Sequence, residues 1–520
     1  MNTFGQILRQ GLALWVVLLT SLGALVIAGY SISNNREFFH DDAWITLRYV
    51  YQFLAGHGIV WNPGDYVQGY TNFFFLVLVS ILGWLGVALP VAARGILFVS
   101  YGLMVLVMWQ YARAYERKFG SGRGWYLLPV LIVVSATPVL VWALGGLETV
   151  LFAFLCFAGS VLALHAFEYK DTASLVCCSV VFALATLTRM DGVIFVAVTG
   201  LFALFHFGLA GWRKIVLLGL PALLIMLCYE AWTLSYYGDL LPNTFYAKAT
   251  GINAEGFGTG WYYTFKFFSR PPFIVLAFTV GGVWALARGR GHLALNYLLA
   301  LVGAFCAYVI YVGGDHMPAY RFYIPLIPIG ALGFFILLVH GARDTTPGKI
   351  AAVYAAVLVL AAVQLQSNSL NPGHEDHASW EGAITGKYIH ANWPAGSLVA
   401  LHTAGSTPYF APNLNFIDML GLNDRHIARR EVTEVNLEWQ NVPGHAKGDA
   451  AYVLSRKPDY IILGFSKGNP IEKPAFLTDL EMADQPEFFE HYEKHSLYLD
   501  PEGRPIDKSR FLFTWYQRVD

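Results

Sequence analysis

The sequence predicts a polytopic α-helical membrane domain followed by a soluble C-terminal α/β domain, and three observations predict it. Hydrophobic residues make up 56% of the 520-residue chain and charged residues only 13%, where ordinary globular domains carry roughly a quarter charged. Mean hydropathy is +0.49. The charge is also divided along the chain. Residues 367–520 hold 21 acidic and 14 basic side chains, leaving 14 acidic and 20 basic for residues 1–366. The expected boundaries are therefore 1–366 for the membrane domain and 367–520 for the soluble one.

A helix crosses the hydrocarbon core with about 20 mostly apolar residues, because backbone groups cannot be left unpaired in lipid. Twelve stretches meet or approach that length, near 11–30, 72–89, 93–112, 125–142, 148–167, 173–188, 192–210, 215–235, 271–287, 293–312, 323–341 and 350–366. The run from Gly11 to Tyr30 is too long for a signal peptide and leads into Ser31-Ile32-Ser33-Asn34-Asn35 rather than a small-residue cleavage site, so it reads as a retained first span.

Lys and Arg in short loops stay cytoplasmic. The loops Arg113–Arg123, Arg213-Lys214, Arg288/Arg290 and Arg343–Lys349 are the basic ones. Simple alternation then puts 31–70, 236–270, 313–322 and the tail outside. Parity requires an odd number of crossings between residues 70 and 113, yet two apolar stretches lie there. Stretch 72–89 is accordingly read as a juxtamembrane helix, giving about eleven crossings, with the tail facing the periplasm or cell exterior.

Within the first outer loop, residues 42–55 read as an amphipathic helix whose aromatics suit the headgroup level. Asp41 or Asp42 is its expected cap. Gly56-His57-Gly58 ends it and Asn62-Pro63-Gly64-Asp65 is a turn. In the tail, 397–401, 415–418 and 460–463 read as strands, and 378–391 and 446–456 as helices, giving a small domain with a parallel sheet. All five cysteines lie in apolar stretches, so the tail has neither a disulfide framework nor a zinc cluster.

Ionisable groups at membrane edges are functional candidates by default. Here they fall on one predicted face: Asp41-Asp42, Glu148, Arg189 with Asp191, Lys248, and Asp315, His316 and Arg321. Scattered charges would not choose one side. Such a set could serve glycosyl transfer, with a carboxylate as general base and cations on a departing phosphate. Asp41 or Asp42 would be the base or a ligand of a divalent cation, Mg or Mn. Arg189, Lys248, His316 and Arg321 would offer charge to phosphate. Bland readings stand beside these: a solvated cap for the aspartates, a Glu148–Arg189 structural pair, and headgroup anchors for Lys248 and Arg321. No P-loop, dinucleotide turn or His-Glu-x-x-His motif is present.

The blocks Phe39-His40-Asp41-Asp42-Ala43-Trp44-Ile45-Thr46-Leu47-Arg48-Tyr49, Gly56-His57-Gly58-Ile59-Val60-Trp61-Asn62-Pro63-Gly64 and Gly69-Tyr70-Thr71-Asn72 resemble the first external loop of the AftB-like (ZomB-related) family. These are terminal β-1,2-arabinofuranosyltransferases and their wider bacterial relatives. The blocks ending in Lys248 and Arg321, and Ala404-Gly405 through Gly421-Leu422, resemble it too. The resemblance implies a GT-C type fold and inverting transfer of a sugar, with D-arabinofuranose the leading one. The donor would be a polyprenyl phosphate in the bacterial inner membrane, and the acceptor an extracytoplasmic glycan, lipid or protein. It also implies a catalytic acid at Asp41 or Asp42. The expected donor site draws on Glu148, Arg189, Lys248, Asp315, His316, Arg321, Tyr70, Asn72 and Tyr246. His402 departs from the strand-end Asp expected of relatives. The rival readings are a lipid or sugar transporter or flippase, and a non-catalytic scaffold regulating envelope or motor assembly. Transporters place polar groups at the midplane with repeat symmetry, which this chain lacks.

Overall fold

The computed structural model describes residues 3–120, 124–248, 254–270, 282, 293–341, 346–373, 376–432, 437, 440, 442 and 444–519, excepting the side chains at 3–13, 254–256 and 341. Seven described helices are long and apolar enough to cross a membrane, or eight counting one bent pair. The chain is a multi-pass membrane protein. Stretch 125–142, expected as one span, is the bent pair Leu127–Val134 and Thr137–Leu144, broken by 48°. Pro138 stands in the first turn of the second piece, where its missing N–H costs nothing and its ring disfavours helix just before it. Stretches 173–188 and 323–341 appear as the shorter helices Thr172–Thr188 and Leu326–Gly341. Stretch 271–287 lies almost wholly outside the described residues. Helix Phe73–Trp84 has 12 residues, about 18 Å at 1.5 Å per residue, too short for a core of roughly 30 Å.

The chain forms two compact units. One comprises 1–38, 94–228 and 252–374, the other 39–93, 229–251 and 375–520. The division does not follow a single cut at 366/367, since two loop segments group with the tail.

In the first unit, the loop before helix Leu326–Gly341 holds two adjacent non-glycine residues in the left-handed region, Ala319 (φ 55) and Tyr320 (φ 47). That conformation costs roughly 1–2 kcal/mol per residue. Neighbours hold it: the Ala319 N–H donates to Ser369 O (3.1 Å), and Trp142 Nε1–H donates to Pro318 O (3.0 Å).

The second unit is built on a six-stranded sheet in the order β2-β1-β3-β6-β4-β5. Strand β1 (Leu398–Leu401) runs parallel to β2 (Asn415–Asp418), with Leu401 opposite Asp418, and to β3 (Tyr460–Ile462). This is the anticipated parallel part. Beyond it, β4 (Tyr492–Leu499), β5 (Pro505–Ile506) and β6 (Leu512–Arg518) add an antiparallel half that the sequence did not signal. Several β4 side chains are exposed, so no buried apolar run marked it. Ala400, Ile417, Ile461, Val453, Leu454, Phe488 and Tyr516 form the core.

Against this sheet lies helix Asp41–Leu54. Its cap is His40, whose Nδ1 accepts the Asp42 N–H at 3.2 Å, rather than either aspartate. Asp41 and Asp42 occupy the first turn, where negative charge favours the helix dipole. Arg48 is fully buried. It donates through Nε to Trp61 O (2.8 Å) and through Nη2 to Leu414 O (3.1 Å), and Nη1 donates to Pro408 O. Its guanidinium carbon sits 5.3 Å from the Trp61 ring centroid and 4.8 Å from that of Phe416. Asn62 covers the edge strand β2: its Nδ2–H donates to Phe416 O (2.7 Å) and its Oδ1 accepts Phe416 N–H (3.1 Å). A side-chain amide thus supplies a missing ladder rung.

Arg48→Met would orphan three buried carbonyls, each costing about 1–3 kcal/mol. We expect a loss of at least about 3 kcal/mol in thermal unfolding of detergent-solubilised protein. Arg48→Lys should not restore it, since an ammonium lacks the planar fork.

Candidate functional site

The predicted site residues fall into two groups, one in each unit. In the first unit, Arg189 follows helix Thr172–Thr188 and is drawn into an ion cluster. Its Nη1–H donates to Glu148 Oε1 (3.2 Å), while Nε–H and Nη2–H donate to the Asp191 oxygens (3.1 Å each). All three side chains are largely buried. Each Arg189 nitrogen is already committed to a carboxylate, so this side chain holds the turn together before it holds anything else.

Arg321 is committed differently. Its Nε–H donates to Asp315 Oδ2 at 2.8 Å, and among the described residues Nη1 and Nη2 have no hydrogen-bond partner. The side chain is 11% exposed. Its guanidinium carbon lies 5.6 Å from the ring centroids of both Trp142 and Phe322. Phe322 also carries Arg189, at 5.2 Å, so one ring links the two cations. Burial pushes the Asp315 carboxyl up. Arg321, then His316, the Met317 N–H and Arg189 outweigh that and hold it below the usual carboxylate range. His316 Nδ1 lies 3.6 Å from Asp315 Oδ1 and the ring is the most exposed member of the group. The result is a half-committed arginine on an aromatic platform, suited to a forked grip on an anion.

In the second unit, Asp41 is buried at 7% exposure. Its Oδ1 accepts two hydrogen bonds from Ser406, one from the backbone N–H and one from the hydroxyl, both 2.8 Å. Its own N–H donates to Asp376 Oδ2 at 2.8 Å. Burial raises the Asp41 carboxyl to about 6, with Asp376 and Asp42 adding to the rise and the Ser406 bonds opposing it. Asp42 is more open than Asp41. Among the described residues no three His, Cys, Asp or Glu side chains group so as to hold a metal ion. Asp41 Oδ1 is taken by Ser406.

The remaining predicted residues have local partners. Tyr70 is buried, with its hydroxyl 3.1 Å from that of Tyr237. Asn72 exchanges hydrogen bonds with Thr46 (3.0 and 3.2 Å), joining helix Asp41–Leu54 to helix Phe73–Trp84. Lys248 is exposed at the end of the short helix Asn243–Lys248. That helix is tied to the tail by Asn243 Nδ2, which donates to the carbonyls of Gly421, Leu422 and Asp424. Tyr246 lies under the Arg429 guanidinium, 4.4 Å from ring centroid to carbon. Tyr70 and Asn72 therefore join elements, while Lys248 stays at the surface.

Sequence reasoning passed over Ser406, Asp376 and Phe322. Asp376 was open to detection as a cap directly before a predicted helix. Nothing local distinguishes Ser406 or Phe322, because their partners lie far away in sequence. His402, noted as a departure at the end of β1, is buried with Nε2 3.5 Å from Asp479 Oδ1 and its ring stacked on Phe476 at 4.5 Å.

A model described as a domain of unknown function (DUF8728) matches residues 373–516. The chain is 29% identical over 256 residues to the terminal beta-(1->2)-arabinofuranosyltransferase of Mycobacterium tuberculosis, covering 45% of this chain and 38% of that protein. It is 26% identical over 365 residues to the protein of the same name from Corynebacterium glutamicum, covering 61% and 50%. The chain thus spans half or less of these relatives' own lengths. Among solved structures, ArnT from Cupriavidus metallidurans bound to undecaprenyl phosphate aligns with a TM-score of 0.53 at 15% identity, covering 77% of this chain and 85% of that one. Archaeal oligosaccharyltransferase AglB from Archaeoglobus fulgidus, in complex with an inhibitory peptide and a dolichol-phosphate, aligns at 0.52 and 13% identity, covering 85% and 69%. The chain has the GT-C type membrane fold of these proteins, with a small mixed-sheet domain at its C-terminus.

Proposed function

We propose that this chain is an inverting glycosyltransferase that moves a sugar, with D-arabinofuranose the leading one, from a polyprenyl phosphate to a glycan, lipid or protein. The reaction would take place on the extracytoplasmic side of the bacterial plasma membrane. The observation that carries the reading is Arg321, a nearly buried cation on an aromatic platform with one nitrogen committed to Asp315 and two left over among the described residues. Such a fork is suited to a departing phosphate. The names of the similar relatives supply the sugar, and the lipid phosphates bound to ArnT and AglB supply the donor class.

In this mechanism Asp42 is the general base. It takes the proton from an acceptor hydroxyl, whose oxygen then attacks the anomeric carbon as the phosphate departs with the bonding electron pair. Arg321 stabilises the charge that grows on the phosphate. Asp41 is the less accessible of the two carboxylates and already accepts from Ser406, so its part is to fix the helix start.

With a synthetic polyprenyl-phosphate sugar and purified protein, Asp42→Asn should lower turnover at least about 100-fold, and Asp41→Asn by a smaller factor. Full activity in both variants would end the assignment. Arg321→Ala should cost about 100-fold or more, and Arg321→Lys should recover only part of it because a point charge replaces a fork. The Asp41 carboxyl also predicts a pH signature. Its value rises from 3.8 to about 6 in the fold, so the folded state holds the proton more tightly and stability falls as pH rises through that window. Asn at this position carries no such loss. The melting temperature of Asp41→Asn relative to the parent should therefore climb between pH 4 and 7; a flat difference would contradict the burial argument.

A further inference from the structure

We infer that the C-terminal domain is a working part of the catalytic centre, with Ser406 as a positioning residue that holds Asp41 and so aims Asp42 at the head of the first-loop helix. This inference rests on the transferase reading above and assigns to the tail a role in it.

The geometry is a two-sided grip on one residue. From the start of the short helix Ser406–Phe410 after β1, Ser406 gives both its N–H and its hydroxyl to a single oxygen of Asp41, at 2.8 Å each. On the other side, Asp376 accepts the Asp41 N–H through Oδ2 (2.8 Å), while its Oδ1 caps helix His377–Asn392 by accepting the Ala378 N–H (3.1 Å). Side chain and main chain of Asp41 are thus bound to two different tail elements. Three further fits tighten the contact. A Cβ on Gly405 would run into the Asp41 carbonyl and its Oδ2 (2.5 Å), and one on Gly382 would run into Ser406 Oγ. One turn along, Trp44 Nε1–H donates to Ser379 Oγ at 2.7 Å, and its ring packs on Tyr409 (4.7 Å) and Phe410 (5.0 Å).

These polar groups are out of water: Ser406 is 0% exposed, Ser379 6% and Asp41 7%. In such a setting the hydrogen bonds are strongly directional, because any rotation would strand a buried charge. Asp42 follows Asp41 directly and shares the helix start, so its direction is set by the same grip. Ser406 begins the short helix Ser406–Phe410 that follows β1, and β1 is paired on both sides, with β2 and β3. A reacting carboxylate must be held to within about half an ångström, and a surface loop alone does not provide that.

The test uses full-length purified protein and the synthetic lipid-phosphate donor. Ser406→Ala should lower kcat about tenfold, as loss of one charge-assisted bond implies, with KM for the donor within about twofold and a cooperative melt. Ser406→Thr, which keeps the hydroxyl, should return kcat to within about threefold of the parent. If the alanine variant does not fold, Asp376→Asn serves instead. Asn caps a helix as well as Asp does, but its amide nitrogen cannot accept the Asp41 N–H, so the same kcat loss is expected. Unchanged kcat in Ser406→Ala and Asp376→Asn would overturn the inference, as would a loss that threonine does not repair. A parent protein without transferase activity, or full activity in both Asp41→Asn and Asp42→Asn, would instead overturn the functional reading itself.

Discussion

Polar groups taken out of water must find partners, and in the second unit that constraint decides how the first loop meets the tail. Arg48 is buried with no carboxylate ion pair among the described residues and is satisfied by backbone carbonyls from residues 61, 408 and 414. Asp41 is buried and satisfied by Ser406. Neither residue could be desolvated by its own segment, because the donors and acceptors it needs lie more than 300 positions away or across a turn. Removing either partner leaves a charge or several carbonyls exposed to a low-dielectric interior, which is far more costly than the net worth of the bonds themselves. The loop and the sheet domain are therefore one folding problem, although the sequence separates them by most of the membrane helices.

The same physics separates two arginines that look alike in the sequence. Arg189 is surrounded by Glu148 and Asp191, and its nitrogens are committed to them. Among the described residues Arg321 has a single carboxylate partner, and it has an aromatic seat. An arginine compensated on every side stabilises a turn, whereas one compensated on a single side keeps directional capacity for an anion. The left-handed pair Ala319 and Tyr320 is what delivers Arg321 to its seat. Strain of that kind persists only where the surroundings over-determine it, as Trp142 and Ser369 do here.

Much of the fold was legible because its signals are local. Long apolar runs gave the spans, since lipid forces each to close its own hydrogen bonds. The amphipathic pattern of residues 42–55 gave the first-loop helix to within a residue, and the short runs at 397–401, 415–418 and 460–463 gave the parallel strands. What escaped was either non-local or weakly patterned. Strand β4 carries exposed polar residues such as Glu493 and Lys494, the break at Ser135-Ala136 was hidden inside an apolar stretch, and the true cap of the first-loop helix was His40 rather than an aspartate.

The sequence by itself determined that this is a helical membrane protein with a separate acidic, β-containing end, and which ionisable residues deserved suspicion, because composition and periodicity report directly on solvent. Only the tertiary structure decided which of those residues are already spent: that Asp41 belongs to Ser406, that Arg189 belongs to Glu148 and Asp191, and that Arg321 keeps two nitrogens unclaimed by any described residue. The physical reason is that a charged group's availability depends on its partners, and those partners are brought together by packing across hundreds of residues, not by neighbours in the chain.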